Sequence, residues 1–134
     1  MDAGPLVALL DRHEKNHEWA KEQVRRLPPG FLTCESVISE ACFLLRRTPG
    51  AIPQLLEYLE KEFILVPFHL DEELTRITQL LARYEDAPMS VADACLVRMA
   101  ELYQRSVVFT LDHHFTVYRK NGRQIIPTLM PPIE

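Results

Sequence analysis

Three short apolar runs set the strongest limit on how this 134-residue chain can fold. Residues 31–34 (FLTC), 63–68 (FILVPF) and 107–110 (VVFT) are too short for helices and rich in β-branched and aromatic side chains. They read as buried strands. Between them apolar residues recur at helical spacing. A short helix begins with Leu6, Val7, Leu9 and Leu10. A second, over 17–27, sets Trp19, Ala20, Val24 and Leu27 against Lys21, Glu22, Arg25 and Arg26, and Pro28-Pro29-Gly30 stops it. Further helices are predicted over 36–46, with Val37, Ala41, Leu44 and Leu45 inward, through Leu55, Leu56 and Leu59, and over 71–84 behind the acidic opening Asp71-Glu72-Glu73. Ser90 caps another through Ala92, Cys95, Leu96, Met99 and Leu102. A short helical turn at 115–119, a small strand at 124–126 and an extended proline-rich tail complete the pattern. Strands alternating with helices predict one α/β domain over residues 1–134, a parallel sheet covered on both faces. In such sheets active sites gather at the carboxyl ends of the strands.

Composition narrows the function. Apolar residues make up 47% and charged residues 25% of the chain, an ordinary globular balance, and no apolar run nears the roughly 20 residues of a membrane span. The opening MDAGPLVALLDRHE is unlike a signal peptide, with an aspartate second and a short apolar stretch. Cys34, Cys42 and Cys95 are odd in number and form no CxxC pair, so a reduced, cytoplasmic protein is expected. The net charge of −4 argues against a nucleic-acid binder held by phosphate contacts alone. An acidic protein acts on phosphates when divalent cations lie between them.

Four acids stand out by position. Asp2 precedes the first helix, Glu40 lies on the helix after the first strand, Asp93 falls in the first turn of the Ser90-capped helix, and Asp112 directly follows the 107–110 run. Glu40, Asp93 and Asp112 each border apolar residues, where a carboxylate is costly unless paired or metal-bound. Each has a plainer reading: Asp2 and Asp93 as helix N-terminal acids, Glu40 as a partner of Arg46 or Arg47, Asp112 as a turn residue bonding its own backbone. All four together, each near a strand end, favour a cluster for Mg²⁺ or Mn²⁺. The histidines weigh less. His113 and His114 are adjacent and point apart. His13-Glu14-Lys15-Asn16-His17 matches the zinc-protease string, but at a polar junction with no third ligand.

The chain resembles the PIN-domain ribonucleases, and among them the VapC-like toxins. The blocks are DAGPLVALLDR (2–12), TCESVISEACFLLRR (33–47), MSVADACLVRMAE (89–101) and VVFTLDHHFTVYR (107–119). The resemblance implies a PIN-like three-layer sandwich with five parallel strands in the order 3-2-1-4-5. It implies that Asp2, Glu40, Asp93 and Asp112 converge on Mg²⁺ or Mn²⁺ to hydrolyse RNA phosphodiesters, with Ser36 and Thr110 orienting the acids. Arg46, Arg47, Arg98, Arg119, Lys120 and Arg123 are candidate contacts to the RNA backbone. A cognate antitoxin and a homodimer, formed through helices of residues 35–60, are implied partners. Two departures stand out. Many members carry another acid where His114 lies, which makes single-ion use an alternative. The family's first acid also ends a buried central strand, whereas only Met1 precedes Asp2 here, so the first strand is expected to be truncated. A catalytically inactive PIN-like binding domain and a nuclease of RNA maturation are the competing readings.

Overall fold

The computed structural model describes residues 1–132. Asp2 caps helix α1 (Ala3–Leu10), its carboxylate accepting from the Ala3 N–H. Pro5 falls in the first turn, where the amide would lack an intrahelical partner anyway. Helix α2 (His17–Arg26) ends ahead of the two prolines. Strand β1 (Phe31–Leu32), helices α3 (Glu35–Leu44) and α4 (Ala51–Glu60) and strand β2 (Ile64–Leu65) follow. Helix α5 (Leu74–Arg83) leads to α6 (Val91–Leu102), whose Ser90 forms a capping box with Asp93. Then come β3 (Val108–Phe109), β4 (Arg119–Lys120), β5 (Gln124–Ile125) and β6 (Thr128–Leu129). Among the described residues no helix is long and apolar enough to cross a membrane.

Helix α6 runs through the core with nine of its residues buried, from Ala92 to Glu101. On α3, Val37, Ala41 and Leu45 follow one another at intervals of four and are fully buried. Leu44, expected inward, lies about 100° off that line and is 50% exposed. Leu56 and Leu102 are likewise largely exposed. Three expectations about local structure need correction. Asp71 and Glu72 lie in a 3-10 turn, Leu70–Glu72, and α5 starts only at Leu74. The expected turn over 115–119 is a 3-10 segment at His113–Thr116. Residues 124–126 do not extend the main sheet: β5 pairs antiparallel with β4 across Asn121 and Gly122, both with positive φ. The tail supplies the sheet strand instead, β6 pairing parallel with β3. Regular strand is shorter than the apolar runs, two residues per element.

The parallel pairs β1–β2 and β3–β6 flank the first two residues. Phe31 and Thr33 donate their amides to Phe63 and Leu65 of the β2 side, so Leu32 faces the other way, and its carbonyl accepts from the Met1 ammonium at 2.7 Å. Opposite, Val108 and Thr110 donate to Pro127 and Leu129, while the Phe109 carbonyl accepts from the Asp2 amide at 2.8 Å. Met1 and Asp2 therefore bridge the two pairs, and the Thr33 hydroxyl adds a bond to the Met1 carbonyl. Beside Met1 lies a cavity of about 560 Å³, walled by Gly30, Phe31, Val107 and Val108 and roofed by Leu96 and Met99 of α6.

Burial pushes the Met1 ammonium down to about 6 from its usual 8. The unfolded chain therefore binds that proton more tightly, so stability is lost as pH falls through about 6 and is fully present above about 8. The span is roughly 2–3 kcal/mol. Nα-acetylation should flatten this slope in denaturant titrations across that pH window. Four apolar residues added before Met1, placing an amide at the ammonium and side chains in the cavity, should raise the melting temperature by about 5 °C or more. A Gly-Ser addition of equal length should not.

Candidate active site

The carboxyl ends of β1 and β3 and the N-termini of α1 and α6 meet beside the Met1–Asp2 bridge. Asp2 is buried, and its Oδ2 accepts from the Thr110 hydroxyl at 2.6 Å. Gly4 permits this approach: a Cβ there would stand 3.2 Å from the Leu111 side chain. Thr110 Oγ1 also accepts the Asp112 amide at 3.0 Å, so one hydroxyl ties two of the four acids. Asp112 Oδ1 takes the His114 amide at 2.9 Å and the His114 Nδ1–H at 2.6 Å. Its turn role is thus real, yet only one carboxylate oxygen serves it.

Helix α6 carries two buried acids with opposite fates. Glu101, which the sequence did not single out, receives Arg76 through two bonds of 2.8 and 2.6 Å, Arg98 at 3.3 Å and the Asn121 amide at 2.6 Å. Burial alone would raise its carboxyl, and these donors hold it below the ordinary range. No cation touches Asp93 among the described residues. Burial pushes its carboxyl up, the capping-box amide of Ser90 partly offsets this, and the charges of Asp2 and Asp112 push it further up. The Ser90 amide at 3.1 Å and the Tyr118 hydroxyl at 3.4 Å both reach Asp93 Oδ2, and neither Ser90 nor Tyr118 was among the expected supporting residues. The S-x-x-D spacing of Ser90 and Asp93 is a readable capping-box signal. Nothing local marks Tyr118.

Glu40 is exposed on α3. Its carboxyl is raised by partial burial first, then by Asp2, Asp93 and Asp112 in turn. All four acids therefore lie within one another's field. No pairing of Glu40 with Arg46 or Arg47 occurs among the described residues; Arg46 instead bonds the Phe43 carbonyl and sits over its ring. Asp93 Oδ1, Asp112 Oδ2 and both Glu40 oxygens accept no protein hydrogen bond among the described residues. Because no fully buried side-chain oxygen there lacks a partner, the free Asp93 oxygen keeps some access to solvent. Such a hard, anionic, all-oxygen donor set fits Mg²⁺ or Mn²⁺. Among the described residues no three His, Cys, Asp or Glu side chains close into a ready-made cage.

Several expected participants lie elsewhere. Ser36 bonds none of the four acids among the described residues; its hydroxyl neighbours Cys95. Arg98 is spent on Glu73 and Glu101, and buried Lys120 donates to the Gln104 carbonyl, so neither head is free for a phosphate. Arg119 Nη1 bonds the carbonyls of Thr116, Val117 and Tyr118. Arg46, Arg47 and Arg123 remain on the surface. His17 donates from Nδ1 to the Ala8 carbonyl at 2.7 Å while His13 is exposed, so that pair is structural.

Glu40→Gln removes one charge from this field. A carboxyl raised in the folded state costs stability above its folded pKa and costs none below its unfolded value. The variant should therefore melt higher than the parent near neutral pH and equally near pH 3–4 in metal-free buffer. Added Mn²⁺ should raise the parent's melting temperature more than the variant's.

The PIN domain model matches residues 1–121. Ribonuclease VapC26 of Mycobacterium tuberculosis (strain ATCC 25618 / H37Rv) is 24% identical over 127 residues, covering 91% of this chain and 93% of that protein. With the matched span taking in all four carboxylates, the chain belongs to the PIN domain family.

Proposed function

We propose that this chain is a divalent-metal-dependent endoribonuclease, the toxin of a toxin–antitoxin pair. The observation that carries the reading is the set of four mutually repelling carboxylates, three of which, Glu40, Asp93 and Asp112, keep at least one oxygen unbonded by protein donors among the described residues. A structural cluster of acids is paired, as Glu101 is with Arg76 and Arg98. Asp2, Asp93 and Asp112 are held by backbone and hydroxyl donors, and exposed Glu40 is the adjustable fourth. Mg²⁺ or Mn²⁺ bound by these four acids supplies Lewis-acid charge for phosphoryl oxygens and activates water for hydrolysis. Arg46, Arg47 and Arg123 give the RNA backbone its cationic contacts, which the net charge of −4 does not.

The same proposal covers the sheet and the assembly. Met1–Asp2 is the end of a central strand, and the order of segments is then β2, β1, Met1–Asp2, β3, β6, the five-stranded 3-2-1-4-5 arrangement of a three-layer sandwich. The bonds from Met1 to Leu32 and from Asp2 to Phe109 support it. Exposed Phe43, Leu44 and Leu56 on α3 and α4 support a homodimer through those helices. Free Cys34, Cys42 and Cys95 suit the reducing cytoplasm. The antitoxin is a protein partner that covers the carboxylate cleft.

Incubation of a mixed single-stranded RNA pool with the protein tests the activity. Cleavage should require Mg²⁺ or Mn²⁺, stop in EDTA and fall about 100-fold or more in Asp93→Asn, which keeps an acceptor for the Ser90 cap. Equal cleavage by parent and variant would refute the assignment. A parent that binds neither metal nor RNA would favour an inactive PIN-like domain.

A further inference from the structure

We propose that Tyr118 is a positioning residue of the carboxylate site, turning Asp93 so that its Oδ1 faces the ion and carrying the imidazole that holds Asp112. The proposal rests on the metal-dependent reading above and adds to it a residue from outside the four acids.

Tyr118 is fully buried although its ring ends in a polar group. Phe115 meets the ring edge-on at 5.3 Å and Tyr84 at 5.1 Å, and Tyr84 is itself fixed because its hydroxyl accepts the Arg119 amide at 2.9 Å. The phenol has little freedom left. Its hydroxyl points at Asp93 Oδ2, 3.4 Å away, the oxygen that already takes the Ser90 amide. Two donors on one oxygen restrain the rotation of the carboxylate about its Cβ–Cγ bond, and among the described residues the other oxygen is left without a protein donor. The contact is long for an O–H···O bond.

The same ring also neighbours His114. The two rings stack with centroids 6.4 Å apart and planes 24° from parallel, and His114 Nδ1–H grips Asp112 Oδ1. One side chain thus supports Asp93 directly and Asp112 through one intermediate. Thr110 does the same for Asp2 and Asp112 on the other flank. Outer groups of this kind orient ligand carboxylates, and their loss weakens metal binding by about 10- to 100-fold.

Tyr118→Phe tests this, since it keeps the ring and its packing and deletes only the hydroxyl, while Ser90 still satisfies Asp93 Oδ2. Mn²⁺ binding is measured by calorimetry, RNA cleavage is followed over a range of Mn²⁺, and melting temperature is recorded in parallel. The expected result is a variant that melts within a few degrees of the parent, binds Mn²⁺ about 10-fold or more weakly, and regains its rate when Mn²⁺ is raised, with KM for RNA unchanged. Rescue by excess metal separates positioning from a packing role, which more metal would not restore. Equal Mn²⁺ affinity in parent and variant, or a rate loss that excess Mn²⁺ leaves in place, overturns the role of Tyr118 while leaving the nuclease intact. A parent that binds no Mn²⁺ overturns both.

Discussion

The hydrogen bond from Thr110 Oγ1 to Asp2 Oδ2 spans 108 residues of sequence and 2.6 Å of space. Around it the two parallel strand pairs, the first turn of α1 and the candidate site are assembled together. Asp2 donates its amide to the Phe109 carbonyl, caps α1 through one oxygen and takes Thr110 through the other. A buried carboxylate is tolerated when such bonds replace water. The Thr110 hydroxyl then accepts Asp112, which sets the second acid at a distance fixed by the first. Fold and site share these bonds, so a change at either residue is felt by both.

Burial alone does not mark a functional acid in this protein. Asp93 and Glu101 lie eight residues apart on one helix, and both are almost inaccessible. Glu101 sits inside a web of arginines and an amide that fastens α5, α6 and the β4–β5 turn. Its desolvation is compensated within the chain. Asp93 lies in the field of other carboxylates, and among the described residues its side chain takes donors only from a helix cap and one phenol. A charge left uncompensated by the protein is one that a cation from outside can balance, and such perturbed groups gather at functional sites. Internal bonding also accounts for two basic positions that are not free for a phosphate: Arg98 is paired with Glu73 and Glu101, and Lys120 donates to the Gln104 carbonyl.

Much of this arrangement was legible from residue spacing. Val37, Ala41 and Leu45 declared the inward face of α3, Ser90 the start of α6, and the apolar runs the places where β1, β2 and β3 form. Local signals failed where a neighbour distant in sequence decided the outcome. Thr128 and Leu129, behind prolines, look like a tail, and become a strand because β3 offers a free edge. Gln124 and Ile125 look like that strand, but Asn121 and Gly122, with φ of 51° and 82°, fold them back onto β4. Tyr118 carries no pattern that distinguishes it from an ordinary core aromatic, and its contact with Asp93 crosses 25 residues.

By itself, the sequence determined the alternation of strand and helix, put Asp2, Asp93 and Asp112 at element ends and put Glu40 on α3, because hydrophobic period and capping chemistry act over a few neighbouring residues. Tertiary structure alone decided which oxygens of those acids are tied and which are left outward. It decided too that Glu101 is neutralised from within, that Met1 and Asp2 bridge two strand pairs, and that Ser36 stands away from the acids. Desolvation, ion pairing and hydrogen bonding are properties of pairs of groups. The second member of each pair is supplied by a part of the chain that the local pattern does not contain.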